Sequence, residues 1–192
     1  MKIKYNAPTV LTYAFLSAGV LILSQTLFRS LTQQWFMVPG KGSFSSGNIR
    51  CWVTLFTHVL GHANWPHLVT NFSFILLIGP ILEEIYGSGS LFVMICITAM
   101  VTGMLNVLFF SSNLLGASGV VFMMILLASF TNFSRGEIPL TFILVLILYL
   151  GRELFNSFGN SAGGDQNISE FAHIVGGFIG SLFGFFRSYR RS

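Results

Sequence analysis

The feature that most constrains this chain is a run without a charged side chain, from residue 85 to residue 134. A membrane-crossing helix needs about 20 consecutive apolar residues, so this run is long enough for two crossings. Charged residues make up 8% of the chain and hydrophobic residues 53%, with a mean hydropathy of +0.75. A soluble domain usually carries about 25% charged residues. The sequence therefore predicts an all-α, multi-pass membrane protein that forms a single domain over residues 1–192.

Charged residues and turn signals divide the chain into six predicted membrane spans. These spans cover residues 8–28, 65–85, 91–110, 119–133, 138–155 and 168–186. Asn64 is a candidate N-cap for the second span, and Pro66 falls in its first turn. The turn before the third span is predicted over residues 87–90. The fourth span is short, so we expect its helix to begin below the membrane surface and the loop before it to lie within the protein.

Residues 29–60 are too polar to span a membrane and are rich in aromatic side chains. We therefore expect an interfacial loop between helices 1 and 2, with its aromatic residues at the depth of the lipid headgroups. Six spans put both termini on one side, which then carries six basic residues against four on the other. This bias favours cytoplasmic termini. The sequence shows no soluble extra domain, which suggests the cytoplasmic membrane of a prokaryote.

Ser118 stands in the run Gly116-Ala117-Ser118-Gly119, directly before the fourth span. Serines are common at helix starts, where they cap backbone N–H groups, and this is the simplest explanation of the residue. A serine at a helix N-terminus also has backbone N–H groups beside it that can stabilise an oxyanion. Ser118 is therefore a candidate nucleophile.

His173 is a lone histidine in the sixth predicted span, where an ionisable side chain is costly. Small residues share its helix face and allow a neighbouring helix to approach closely: Gly176, Gly180 and Gly184. If that neighbour is the fourth span, His173 comes within reach of Ser118. The alternative is a polar residue that bonds an interhelical carbonyl. Glu170 is a candidate third acid, but a Ser–His dyad is favoured.

His67 and Asn71 are four residues apart and share one face of the second span. Asn71 can donate hydrogen bonds to an oxyanion, or it can bond a neighbouring helix. His58, His62 and His67 suggest a metal site, but no Cys, Asp or Glu lies nearby to complete one. We therefore expect no metal, and we expect His58 and His62 to hydrogen-bond the interfacial loop and fix its shape.

Together these motifs resemble the rhomboid family of intramembrane serine proteases. The resemblance covers residues 50–186 and rests on His58-x-x-x-His62-x-x-x-x-His67-x-x-x-Asn71, Gly79 and Glu83 before Gly87, Gly116-x-Ser118-Gly119, and Ala172-His173-x-x-Gly176-x-x-x-Gly180. It implies a six-helix rhomboid-like bundle, with Ser118 as the nucleophile and His173 as the general base. Asn71, His67 and the Ser118 N–H would bind the oxyanion, and Gly116 would keep the approach open.

The resemblance also implies supporting roles and two departures from the family pattern. Glu83 would belong to a structural hydrogen-bond network at the end of the second span. Phe122, three residues after Gly119, stands where the family commonly has a tyrosine that stacks on the histidine. The run Arg50-Cys51-Trp52 reverses a common Trp-Arg pair of the interfacial loop. Substrates would be transmembrane proteins that enter from the lipid bilayer, and no cofactor is implied.

Three other classes of function fit the sequence less well than an intramembrane serine protease. A small transporter or channel also has intramembrane polar residues, but it commonly shows inverted repeats, and we find none. An inactive rhomboid-like protein that binds clients usually lacks the serine or the histidine. The net charge of +4 comes from few, scattered basic residues, so nucleic-acid binding is not indicated. The sequence carries no signal for the oligomeric state.

Overall fold

The computed structural model describes residues 2–133 and, farther along the chain, residues 140, 143–144, 147–148, 151, 175, 177–179 and 182. The helices of the continuous part are α1 (Pro8–Thr26), α2 (Leu31–Trp35), α3 (Ile49–Thr57), the 3₁₀ turn η1 (His58–Leu60), α4 (Trp65–Tyr86), α5 (Ser88–Phe109) and α6 (Ser118–Phe133). Apart from those separate positions, the fifth and sixth predicted spans lie outside the described residues.

Three of these helices, α1, α4 and α5, are long and apolar enough to cross a membrane. They confirm the first three predicted spans. The helix α6 begins at Ser118, one residue before the predicted fourth span, and is described as far as Phe133; the prediction that it is short stays a prediction. The loop before it lies partly within the protein, as expected, because Phe110, Leu114 and Ala117 are buried.

The start of α1 is fixed against the end of α4. Pro8 occupies one of the first helical positions, where its missing N–H leaves no bond unmade. The buried Glu83 carboxylate accepts hydrogen bonds from the backbone N–H groups of Thr9, at 2.8 Å, and Val10, at 3.0 Å. Its charge and oxygens satisfy donors that a helix N-terminus would otherwise leave without partners. The hydrogen-bond network expected at Glu83 is confirmed.

The helix α4 begins as predicted, because the Asn64 side chain accepts a hydrogen bond from the His67 N–H at 2.9 Å. It ends at Gly87, whose φ of +82° is a conformation that side chains rarely adopt. The predicted turn over residues 87–90 is wrong, because α5 already begins at Ser88. Gly87 alone reverses the chain, and burial of Ser90 and Leu91 outweighs the weak helix propensity of this stretch.

The helix α4 packs against α1, α5 and α6 and forms the centre of the described bundle. Gly79 lets α1 approach closely, since a Cβ at this position would lie 2.7 Å from Cγ2 of Val10. The helix α6 is enclosed on all sides over residues 120–125, which are all buried. A helix that is apolar and buried all round is a core element. Ser118 therefore stands at the start of a core helix.

The segment 29–60 was predicted as a loop, but it contains two short helices and the turn η1. In α3 the residues Cys51, Thr54 and Leu55 are buried, which is the spacing of one helix face. The Arg50 guanidinium lies 5.0 Å from the ring centre of Trp35, a cation–π contact that connects α3 to α2. The position of this segment in the membrane interface stays a prediction.

Segment 29–60 also contacts the loop that precedes α6 and fixes its position. Val38 and Leu114 exchange two backbone hydrogen bonds of 2.9 Å each, forming an antiparallel β-bridge. The Gly40 N–H donates to the side-chain oxygen of Asn113 at 3.1 Å. Gly40 also lies so close to the Ser111 carbonyl that a Cβ would collide with it. These contacts fix the approach to Ser118 from the interfacial segment.

Candidate functional site

Ser118 is the first residue of α6, and only 6% of its surface is exposed. Ala117 before it is fully buried, and its carbonyl accepts the first hydrogen bond of the helix from the Val121 N–H at 2.9 Å. The leading N–H groups of a helix have no acceptor within that helix, and they carry the positive end of its dipole. This position suits the stabilisation of a negative oxygen next to a serine hydroxyl.

Gly116, two residues earlier, brings the backbone against two side chains of α4. Its φ is +117°, a conformation that favours glycine. A Cβ here would lie 2.8 Å from both Cε1 and Nε2 of His67, and 3.9 Å from Nδ2 of Asn71. The Gly116 N–H donates to the carbonyl of His58 at 3.0 Å. The structure thus brings together Gly116, His67 and Asn71 beside the start of α6.

The Asn71 side chain is buried, with 4% of its surface exposed, and its amide nitrogen lies 3.3 Å from Nε2 of His62. That nitrogen carries two hydrogens, so it can donate to His62 and to one further acceptor. The rings of His62 and His67 pack edge to face, with their centres 5.1 Å apart. His62 therefore orients both side chains that contact Gly116, a role that the sequence analysis did not predict.

His58 and His62 are each 1% exposed, and each directs Nδ1 at a backbone carbonyl. The acceptors are Thr54 O, at 3.1 Å, and Leu60 O, at 3.3 Å. A carbonyl only accepts, so Nδ1 carries the proton in both rings and Nε2 is an acceptor. The pKa of both histidines is lowered to about 4, by burial in His58 and by burial together with the neighbouring His67 in His62. Both acceptors belong to segment 29–60, to which the sequence predicted hydrogen bonds from these two histidines.

A polar stripe on α5, which the sequence analysis missed, continues from His58. Thr98, Thr102 and Asn106 are buried at intervals of four residues. The Thr102 hydroxyl lies 3.4 Å from Nε2 of His58. The Asn106 amide donates to the carbonyl of Ser112 at 2.9 Å, in the loop before α6. The spacing alone indicates one helix face and is the signal that identifies the stripe.

Gly177, much later in the chain, packs against the first turns of α6. A Cβ on Gly177 would lie 2.7 Å from Cδ1 of Phe122, 3.0 Å from the Gly119 carbonyl oxygen and 3.0 Å from the Met123 nitrogen. Gly119 and Phe122, both predicted to support the site, therefore form the surface that Gly177 meets. The predicted close-packing face of Gly176, Gly180 and Gly184 lies outside the described residues; the close approach to α6 is that of Gly177.

A model of the Rhomboid domain family matches residues 50–190 of the chain. The chain belongs to the rhomboid family. The match includes every candidate site residue named above and confirms the family resemblance found in the sequence. A rhomboid with these apolar helices is a membrane protein.

This rhomboid is similar to two characterised relatives. It is 25% identical over 162 residues to Rhomboid-like protein 11, chloroplastic, of Arabidopsis thaliana, and the aligned region covers 78% of this chain and 58% of the relative. It is 24% identical over 193 residues to Rhomboid protease GlpG of Pectobacterium atrosepticum, and the aligned region covers 96% of this chain and 64% of the relative. The chain therefore spans about three-fifths of the length of each of these two relatives.

Several predicted site residues lie outside the described part of this rhomboid. They are His173, Glu170, Gly176, Gly180 and Gly184. Within the part that the structure describes, no group of three His, Cys, Asp or Glu side chains could hold a metal ion. Cys51 and Cys96 are both free thiols.

Proposed function

We propose that this rhomboid is an intramembrane serine endopeptidase that cleaves transmembrane segments of other membrane proteins. Ser118 attacks the peptide carbonyl, and His173 takes the serine proton and returns it to the leaving amine. Acid–base help of this kind is worth roughly 10²–10⁴-fold in rate. The reaction is a peptide-bond hydrolysis by a Ser–His dyad, and it needs no cofactor.

The observation that carries this proposal is the close approach of Gly116 to the His67 ring, with the Asn71 amide beside it. It sets two hydrogen-bond donors of α4 next to the backbone that leads into Ser118. An oxyanion hole requires this combination, because the developing negative oxygen needs several preorganised donors. In the proposed mechanism the oxyanion is bound by Asn71, His67 and the Ser118 N–H, while His62 holds the Asn71 amide in place.

The assignment of His173 as the base draws support from Gly177. Gly177 is helical and contacts Gly119 and Phe122 of α6. Residues four apart in a helix lie on one face, a turn from each other. The proposal therefore pairs His173, four positions before Gly177 in the sequence, with Ser118 at the start of α6. Phe122 would then pack beside the imidazole without offering a hydroxyl.

The proposed enzyme is a six-span bundle with both termini in the cytoplasm of a prokaryote and segment 29–60 in the membrane interface. Its substrates reach the site laterally from the lipid. An intact helix bonds its own backbone groups, so cleavage requires a locally unwound segment. Substrates with helix-weakening residues near the scissile bond are therefore expected to be preferred.

The test is labelling of the purified full chain with a fluorophosphonate probe, together with cleavage of a transmembrane model substrate in liposomes. Ser118→Ala and His173→Ala are expected to lose both signals. Ser111→Ala is the matched control, because Ser111 lies exposed in the loop before the same helix. Labelling that survives in Ser118→Ala would mean that another residue is the nucleophile. A folded protein that is never labelled would instead favour a client-binding protein.

A further inference from the structure

A cavity of about 400 Å³ lies between α1, α5 and the turn η1, apart from the proposed catalytic residues. Its long walls are formed by residues 8–16 of α1 and by Phe92, Cys96 and Ala99 of α5. Val59 and Leu60 of η1 also line it. Leu16 and Phe92, on opposite walls, are 53% and 58% exposed, so the cavity opens between two membrane-spanning helices towards the surroundings of the protein.

The chemistry of the lining is that of a hydrocarbon site. Its polar side chains are all engaged within the protein: the Thr9 hydroxyl donates to the Ser88 carbonyl at 3.1 Å, the Thr12 hydroxyl pairs with that of Tyr5 at 2.9 Å, and the Tyr13 hydroxyl donates to the Val59 carbonyl at 2.9 Å. None of the described residues that line the cavity is charged. An occupant is therefore offered apolar surface, and burial of apolar surface is the available driving force.

The dimensions of the cavity match one lipid leaflet. The Thr9–Ser88 hydrogen bond holds the starts of α1 and α5 side by side, so the cavity extends inward from a common helix end. From Pro8 to Leu16 a helix rises by about 12 Å. Half of a hydrocarbon core of about 30 Å is about 15 Å. A single acyl chain that enters from the membrane surface would reach η1, which is then the part of segment 29–60 that extends deepest into the membrane.

Two lysines precede Pro8, the first residue of α1 that lines the cavity. Lys2 and Lys4 are exposed just before α1 begins. Glu83, at the same end, is engaged by the first N–H groups of α1. Glu84 is exposed there and offsets part of the positive charge. We propose that this cavity binds one acyl chain of an anionic phospholipid, whose phosphate is held by Lys2 and Lys4.

This site would act on the region around Ser118 through η1. An acyl chain in the cavity packs against Val59 and Leu60. The preceding residue, His58, accepts hydrogen bonds through its carbonyl from both Gly61 and Gly116. The lipid would therefore stabilise the turn that anchors Gly116. The proposal concerns lipid binding and does not depend on peptidase activity.

The test is native mass spectrometry of the full chain in detergent, titrated with phosphatidylglycerol or with phosphatidylcholine of the same acyl chains. One phosphatidylglycerol molecule is expected to bind more tightly than all that follow. Its affinity should exceed that of phosphatidylcholine by on the order of tenfold, because Lys2 and Lys4 precede the start of α1 and attract a net negative headgroup. Lys2→Ala with Lys4→Ala should abolish this preference. Equal affinity for the two lipids would overturn the proposal.

A filling substitution locates the site. Leu16→Trp places a large side chain into the cavity and should remove the tight lipid. Leu77→Trp is the matched control, because Leu77 is 71% exposed on α4 and lies outside the cavity lining. If both variants bind lipid as the wild type does, or lose it equally, the binding is non-specific annular binding only and the proposal fails.

A photo-crosslinking amino acid at position 16 identifies the occupant in phosphatidylglycerol liposomes. A lipid adduct is expected at position 16 at phosphatidylglycerol contents too low to give one at position 77, where only annular lipid is in contact. A covalent dimer of the chain would show that a second copy covers the cavity, which contradicts the proposal. An adduct with a transmembrane peptide added in competition, in place of lipid, would contradict it as well.

Discussion

Substituting Gly116 by alanine tests the geometry of the site most directly, because the structure separates two effects of the change. The first effect is backbone strain at a positive φ, which costs about 1–2 kcal/mol for a residue with a side chain. The second is a collision, since the new Cβ would lie 2.8 Å from the His67 ring. Displacing an oxyanion donor typically costs about 2.7–4 kcal/mol, on the order of 10²–10³ in turnover. Gly116→Ala should therefore lower kcat/KM at least a hundredfold by this second route.

Gly87→Ala is the matched control for strain alone. Gly87 has a φ of +82°, and nothing lies within 4 Å of a Cβ built on it. Both variants should lose similar stability, which is measured as a shift in Tm of the purified protein. Only Gly116→Ala should lose cleavage of a transmembrane substrate in proteoliposomes. Equal cleavage by the two variants, within about fivefold, would refute the assignment of His67 and Gly116 to one site.

A double variant separates the collision with His67 from other effects at Gly116. If the collision is the cause, Gly116→Ala adds little further loss of turnover once His67→Ala has removed the ring. Two substitutions that act through the same contact are non-additive. Losses that simply multiply in the double variant would show that Gly116 acts independently of His67.

Three further predictions follow from the hydrogen bonds of the described residues. Asn71→Ala should lower turnover a few hundred-fold, on the order of one lost oxyanion donor, while the protein stays folded; near-wild-type turnover would remove Asn71 from the mechanism. Glu83→Gln should destabilise the protein by about 2 kcal/mol, because two N–H donors of α1 lose a charged acceptor, whereas Glu84→Gln, at an exposed carboxylate, should leave Tm nearly unchanged. Burial lowers the pKa of His58 and His62 to about 4 in the folded protein. In the unfolded chain their pKa is near 6.5, so between pH 4 and 6.5 the unfolded chain binds more protons than the folded one. The contribution of these two histidines to the free energy of unfolding should therefore be fully present above about pH 6.5 and should fall as the pH drops towards 4. A Tm that stays constant over this range would contradict the buried neutral state.

The long helices could be predicted from the sequence because their signals are strong and local. A charge-free run must be bonded internally in lipid, which leaves few alternatives to helices. Asn64 and Pro66 likewise locate the start of α4, as the observed cap confirms. The contact between Gly116 and His67 joins residues far apart in the chain. This contact was indicated only by the resemblance of the histidine, asparagine and serine motifs to those of the rhomboid family.

Other features could not be predicted, for reasons that differ from one to the next. The helix α3 is nine residues long, too short for its period to stand out within a segment rich in glycine and serine. The bond between Asn71 and His62 depends on side-chain orientation, which spacing does not determine. The β-bridge between Val38 and Leu114 uses only backbone atoms, so no side-chain pattern encodes it.

That β-bridge bears on how freely this rhomboid can diverge in sequence. Main-chain hydrogen bonds persist whatever side chains occupy positions 38 and 114, so many substitutions of similar bulk should be tolerated there. Glycine is different where backbones meet: a Cβ on Gly40 would collide with the Ser111 carbonyl, and a Cβ on Gly61 with that of Phe36. A saturation mutagenesis scan should therefore show tolerance at positions 38 and 114 and intolerance at Gly40 and Gly61. The side chains at positions 38 and 114 can therefore change during evolution, whereas the close backbone packing at Gly40 and Gly61 must be kept.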